Sequence, residues 1–217
     1  MTEQQQAEMV DAAKAGDQTK VAALLAIDHA LAGARNERGE SPIQQAQYRG
    51  HKEIVRMLLD AGAFRTVFEA AMVGDVEQVR KEVTAAPALV KAYASDGFHL
   101  LGLAAFFSHP DVVDVLLEHG ADVNQAASNP MKVTALHAAA SSRQTGIVAK
   151  LLARGADPNL RQRSGWTALH GAAASGNEDM VRLLLKHGAD PSLRSDEGLL
   201  AKDLAMTKGH PGVAALL

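Results

Sequence analysis

Apolar residues recur along this chain in two alternating textures. One is a short, alanine-rich run, as at residues 135–140. The other carries larger aliphatic residues at helical spacing, as in Ile54, Val55, Leu58 and Leu59, or Val112, Val113, Leu116 and Leu117. Apolar positions three and four apart draw one stripe along a helix, so the spacing predicts an amphipathic helix for each run of the second kind. Alanine has the best helix propensity, and its small side chain lets helices lie close, which predicts a helix for the first kind as well. A tight turn separates the two. Gly62, Gly120, Gly155 and Gly188 stand at the ends of second helices, where glycine supplies the left-handed closing residue. Polar stretches ending in Gly follow, at residues 36–39, Asp96-Gly97, Ser164-Gly165 and Glu197-Gly198, and they read as turns. Pro42 falls just inside its helix, where its missing N–H costs nothing.

The helix-turn-helix texture repeats. Thr134-Ala135-Leu136-His137-Ala138-Ala139-Ala140 returns 33 residues later as Thr167-Ala168-Leu169-His170-Gly171-Ala172-Ala173. Self-similarity at such a period marks a stacked array of small units. The inter-helix turns align as Ala12/Gly16, Ala46/Gly50, Ala70/Gly74, Ala104/Ser108, Ala139/Arg143, Ala172/Gly176 and Ala205/Gly209, in seven repeats with steps of 34, 24, 34, 35, 33 and 33 residues. One domain over residues 1–217 is expected, with repeats at roughly 5–34, 35–63, 64–92, 93–124, 125–159, 160–192 and 193–217.

These words resemble those of the ankyrin-repeat family. The family word, Gly-x-Thr-Pro-Leu-His-x-Ala-Ala, then Gly-His, then Gly-Ala-Asp-x-Asn, is best kept around Thr134 and Thr167 and in Gly120-Ala121-Asp122-Val123-Asn124 and Gly155-Ala156-Asp157-Pro158-Asn159. Ser41-Pro42-Ile43-Gln44 and His99-Leu100-Leu101-Gly102 depart from it. The resemblance covers nearly the whole chain. It implies an all-α solenoid of about seven helix-turn-helix units with β-hairpin fingers. It also implies that His137 and His170 bond backbone of the adjoining turn.

The short step of 24 residues between Gly50 and Gly74 stands out. Phe64 follows Gly62-Ala63 at once, so one finger is expected to be missing near residues 63–64. Shifting the chain by 58 lays Gly16 on Gly74, Leu31 on Leu89, Gly39 on Gly97 and Gly62 on Gly120, which suggests that 1–63 and 64–123 are a duplicated block. Residues 213–217 are apolar and read as an end that frays or packs on a partner copy.

Composition narrows the function. Net charge is −3, which gives no global field for nucleic acid or anionic lipid. Arg35, Arg38, Arg161, Arg163 and Arg194 fall in fingers but alternate with acidic residues, and nucleic acid is not the expected partner. Cysteine is absent, and no signal segment or membrane span is visible, so a cytoplasmic protein is expected. Nine histidines invite a metal reading. His119 and His187 suit helix C-termini, however, and residues one repeat apart cannot share an ion whose bonds to nitrogen are about 2 Å. No zinc-protease, phosphate-loop or nucleophile-elbow motif is present. Neither enzyme activity, cofactor nor metal is expected. Asn124 resembles the Asn that some family members carry hydroxylated, but the simpler reading is an Asn holding its finger by local hydrogen bonds.

The resemblance implies binding through a concave face built from the fingers and the exposed side of the first helices. The residue after the finger Gly is Glu40, Phe98, Val133, Trp166 and Leu199 in turn. Ahead of the inter-helix turns stand Tyr48-Arg49, Met72-Val73 and Phe106-Phe107, and Met131 precedes Val133 by two. Tyr48, Met72, Phe98, Phe106, Phe107, Met131, Val133 and Trp166 are expected to form one patch, because aromatics and Met are enriched in interface cores. Arg38, Arg49, Asp96, Arg163 and Glu197 would make its rim. The opposing reading has these side chains covering neighbouring backbone, with Phe106 or Phe107 filling space left by Gly102. The expected function is non-catalytic recognition of another protein, as adaptor, scaffold or inhibitor. The competing readings are a groove site for a small molecule or peptide, and self-association through the apolar C-terminal end.

Overall fold

The computed structural model describes residues 1–63 and 65–217. Fourteen α-helices and no named strand occur among the described residues. The chain falls into two compact bodies, residues 1–73 and 74–217. The first holds α1 (Glu3–Ala15), α2 (Gln18–Ile27), α3 (Pro42–Arg49), α4 (Lys52–Asp60) and α5 (Val67–Val73). The second holds α6 (Val76–Ala85), α7 (Leu100–Phe106), α8 (Pro110–Glu118), α9 (Ala135–Ser141), α10 (Thr145–Ala153), α11 (Ala168–Ala174), α12 (Glu178–Lys186), α13 (Ala201–Thr207) and α14 (Pro211–Ala214). The expected all-helical repeat architecture is therefore present. None of these helices is long and apolar enough to cross a membrane.

Packing follows the repeat. In the first body α1 lies against α2 and α3, and α3 against α4 and α5. In the second, α7, α9, α11 and α13 pack in series, each also against the helix that follows it. The core of the first body gathers Met9, Val21, Leu24, Leu31, Ile43, Ile54 and Leu58. In the second, Leu101, Leu136 and Leu169 hold the position of Ile43, and Leu116, Leu151 and Leu184 hold that of Leu58.

The inter-helix turns lie where the alignment puts them. Residues 16, 50, 74, 108, 143, 176 and 209 all have positive φ, including the non-glycines Ser108 at 68° and Arg143 at 60°. At the turns of residues 16, 50, 108, 143, 176 and 209 the amide that follows donates back to the aligned alanine, as in Asp17 to the Ala12 carbonyl at 3.0 Å, His109 to Ala104 at 2.9 Å and His210 to Ala205 at 2.8 Å. This bond satisfies a carbonyl that the helix end would leave open. The second helices α4, α8, α10 and α12 close in the same way, as in Ala121 donating to Leu116 at 2.9 Å and Ala189 to Leu184 at 3.0 Å.

One feature differs from expectation. The fingers are hairpins closed by backbone bonds at the tip, not β-ladders; one isolated bridge, Tyr93 with His99, occurs among the described residues. The finger missing near residues 63–64 concerns Phe64, which lies outside the described residues.

Candidate functional site

The fingers of the second body are built by backbone bonding. Ala94 donates to the Phe98 carbonyl at 2.8 Å, Ala127 to Val133 at 2.9 Å, Gln162 to Trp166 at 2.8 Å and Ser195 to Leu199 at 2.9 Å. The residue after the tip is thus the one whose carbonyl closes the hairpin. Successive fingers are also joined. Ser128 donates to Gly97 at 2.9 Å, Arg163 to Met131 at 2.9 Å and Asp196 to Ser164 at 2.9 Å. The finger of residues 126–134 is two residues longer than its neighbours, and Lys132, at φ 49°, takes the glycine's place. Met131 therefore stands at a longer tip, 46% exposed.

Buried histidines tie first helices to these fingers. Nδ1 of His137 accepts from the Thr134 amide at 3.3 Å, and its Nε2 lies 3.2 Å from the Trp166 carbonyl. His170 repeats this with Thr167 at 3.2 Å and the Leu199 carbonyl at 3.2 Å. Because Nδ1 accepts, the proton sits on Nε2 and is donated to the carbonyl. Burial, above all, holds His137 neutral and lowers its pKa to about 4, against the favourable carbonyls of Trp166 and Leu160. His170 is also lowered, first by burial.

His99 solves the same problem from a different position. It caps α7, with Nδ1 accepting from the Gly102 amide at 3.2 Å. A Cβ on Gly102 would stand 3.1 Å from the His99 ring, so this ring, and neither Phe106 nor Phe107, occupies the space the glycine leaves. Its Nε2 is buried without a hydrogen bond; the Val133 carbonyl favours the charged ring, but burial prevails and lowers the pKa to about 4.

In the first body the histidine's place belongs to Glu69, which is 3% exposed. Arg35 grips it through both terminal nitrogens, at 2.7 and 2.8 Å. Ser41 Oγ and the Thr66 amide also donate to it. Burial would raise its pKa, but the bonds from Arg35, Ser41 and Thr66 outweigh it and hold the carboxyl below its ordinary value. A Thr-x-x-Glu word opening a helix was the available sequence signal for this cap.

The predicted surface residues divide between the bodies. In the first, Arg38 and Arg49 are exposed, while Glu40 and Tyr48 are half-buried. Arg38 and Glu40 line a hollow of about 750 Å³ with Arg35, Glu3, Asp11 and Lys14. Met72 is corrected from exposed to buried: only 2% of it is exposed, because α5 is apolar on several sides and packs on α3. In the second body Phe106 is 44% exposed. It meets Phe107 edge-on, with ring centroids 5.1 Å apart. Trp166 is half-buried and stacks on the His170 ring at 6.1 Å. Phe98, Phe107, Val133, Leu199 and Asp96 are half-buried, and Arg163 is exposed. Asp96 turns its carboxylate to the Phe98 amide at 3.2 Å. Sequence reasoning passed over Tyr93, 43% exposed, although it stands in register with the finger residues Arg161 and Arg194.

Asn124 and Asn159 link consecutive repeats. Asp157 donates to the Asn124 side chain at 2.8 Å, and Asn124 Nδ2 donates to the Gly155 carbonyl at 3.3 Å. Asn159 does the same with Asp190 at 2.8 Å and Gly188 at 2.9 Å. Among the described residues, no group of three His, Asp or Glu side chains could hold a metal ion.

A family model described as ankyrin repeats (3 copies) matches residues 9–127, 67–162, 101–195 and 136–217. The ankyrin repeat and KH domain-containing protein mask-1 of Caenorhabditis elegans is 30% identical over an alignment 186 residues long that covers 69% of this chain. The match covers 7% of that protein's length, so this chain corresponds to a small part of it.

Proposed function

The chain belongs to the ankyrin-repeat family, whose repeats are protein–protein interaction modules, and from that premise we propose that it recognises another protein without catalysis, as an adaptor, scaffold or inhibitor. The docking surface is the face of the second body built by fingers and first helices. Phe98, Phe106 and Trp166 are the anchors, with Met131, Val133 and Leu199 beside them and Asp96 and Arg163 at the rim. The observation that carries this reading is that Phe106 and Met131 leave 44% and 46% of their surface to solvent. Large side chains of this kind dominate interface energetics when a partner desolvates them. Backbone bonding between fingers pre-orders the surface, which lowers the ordering cost of binding.

The test pairs two baits in extract from the native host, read by mass spectrometry. One is wild type; the other carries Phe98→Ala, Phe106→Ala and Trp166→Ala and is checked by circular dichroism. A partner held by the first and lost by the second supports the assignment. Each anchor is expected to contribute about 2 kcal/mol or more to binding the purified partner. A partner kept equally by both baits rejects this face as the site.

A further inference from the structure

The second helices differ at one place on their outward side. Aligned on the residue after the inter-helix turn, positions 22, 23, 26 and 27 of α2 correspond to four places, of which two are charged in each of α4, α6, α8 and α12. Arg56 and Asp60 stand there in α4, Arg80 and Lys81 in α6, and Asp114 and Glu118 in α8. Lys150 occupies one of these places in α10, and Arg182 and Lys186 two of them in α12. In α2 the same places are Ala22, Ala23, Ala26 and Ile27, all exposed, and Ile27 is 68% exposed. The opposite side, Val21, Leu24 and Leu25, is buried in the first body's core. The helix is therefore apolar on both sides, whereas an outer face of a repeat array is normally polar.

We propose that this face of α2 is a self-association surface, on which a second copy of the chain lays its own α2 in antiparallel orientation. The face is self-complementary about its midpoint, as a two-fold contact must be. Antiparallel pairing centred between Leu24 and Leu25 puts Ile27, the one large side chain, against Ala22 of the other copy. It also puts Ala26 against Ala23, where small side chains permit close helix approach. Lys20 at one end of the face then comes within a residue of Asp28 at the other end of its mate. Lys20 and Asp28 have side chains 48% and 35% exposed; within the chain Lys20 lies 3.9 Å from Glu8, and Asp28 lies 3.7 Å from the Met1 amine and accepts from the Ala30 amide at 2.9 Å, so the contact between copies adds to weak, exposed pairs. A parallel pair would instead set Asp28 beside Asp28 and Ile27 beside Ile27, and would align the two helix dipoles unfavourably. A helix of this length is about 15 Å long, so the contact is smaller than the roughly 800 Å² per partner of a stable complex. The dimer is accordingly weak and concentration-dependent. The proposal does not depend on the recognition surface of the second body.

The test is the mass in solution of the full chain over a roughly hundredfold range of concentration. It is run on wild type and on an Ala23→Glu, Ala26→Glu variant whose fold is checked by circular dichroism. Ile27→Ala serves as the milder variant, since it alters one exposed side chain. The chain has no cysteine, so Ala23→Cys and Ala26→Cys proteins each carry a single thiol. The expected results are a mass rising toward the dimer in wild type, at least tenfold weaker association in the Glu variant and weaker association in Ile27→Ala. Disulfide formation should be faster in a mixture of the two Cys proteins than in either by itself. Monomeric wild type across the range overturns the proposal. So does a dimer that all substitutions leave unchanged, which would move the contact elsewhere, or cross-linking without preference for the mixed pair.

Discussion

His99 and Gly102 accomplish between them what Thr134 and His137 accomplish one repeat later. The ring has moved from the third helical position to the cap, and the glycine makes room for it. Gly102→His adds a second ring where the first already lies, and overpacking of this kind costs about 1–3 kcal/mol. His99→Thr leaves the space of a buried imidazole unfilled, at a cost of about 2 kcal/mol. The double variant restores Thr-x-x-His, so its destabilisation is expected to fall short of the sum of the singles by about 1 kcal/mol or more. Urea unfolding of the four proteins measures this; strictly additive singles would sink the compensation argument. The same buried rings make stability depend on pH. His99 and His137 are neutral in folded and unfolded chains above their ordinary value of 6.5. Below it the unfolded chain takes up protons that the folded chain refuses until about pH 4. Each ring therefore removes about 1.4 kcal/mol of stability per pH unit within that window. His137→Gln is expected to flatten the slope by one such increment. An unchanged slope would contradict neutral burial.

At the scale of the element, the inter-helix turn shows how one backbone shape constrains its neighbours. His51, His109 and His210 lie over Gly16, Gly74 and Gly176, so closely that a Cβ would come within 2.4–2.7 Å of each ring. Where the turn residue has a Cβ, at Ser108 and Arg143, the residues in register one repeat later are Gln144 and Asn177, not histidine. Left-handed backbone costs an L-residue about 1–2 kcal/mol, more than the roughly 0.5–1 kcal/mol by which glycine's extra freedom is disfavoured. Ser108→Gly and Arg143→Gly are thus expected to stabilise the protein slightly. Gly176→Ala, at φ 70° and with His210 above it, is expected to destabilise it by about 2 kcal/mol or more. Thermal unfolding of the three variants checks the order. A further likeness concerns whole elements. The 3₁₀ turn His29–Gly33 after α2 has its counterpart in Pro87–Lys91 after α6, 58 residues on. On this likeness we infer that residues 1–63 and 64–123 are a duplicated block.

Across the molecule, the two bodies are built to respond to acid in different ranges. His99, His137 and His170, all lowered by burial, belong to residues 74–217. Glu69, held low by its bonds, belongs to residues 1–73. The carboxylate's contribution is complete above its ordinary value of 4.5 and is lost as pH falls through its lower folded value. Acidification from neutrality is therefore expected to weaken the second body first. Trp166, the chain's one tryptophan, reports on that body, whereas far-ultraviolet circular dichroism sees both. Denaturant midpoints by fluorescence should fall between pH 6.5 and 4 before the last dichroism phase does. Two probes that move together throughout would refute separate responses.

The positions of helices and turns were legible in the residues because they are local matters. Apolar spacing, glycine and alanine propensity, and caps such as Thr134 act within a few residues of chain, and the repeat period multiplies the signal. Even Ser108 and Arg143 could be placed at turns by register, and both adopt the left-handed shape. What the residues did not disclose depends on pieces of chain roughly a repeat apart meeting in space. Met72 shares a register with exposed Phe106 yet is buried, since only the packing of α5 decides which of its sides is covered. Glu69 looked like one acid among many until Arg35 and Ser41, 34 and 28 residues earlier, converged on it. Tyr93, passed over in the sequence, is an exposed aromatic whose hydroxyl donates to the Ala126 carbonyl, 33 residues on, at 3.2 Å. Pattern determines which side of an element is apolar; only the folded chain determines what lies against that side, and whether anything does.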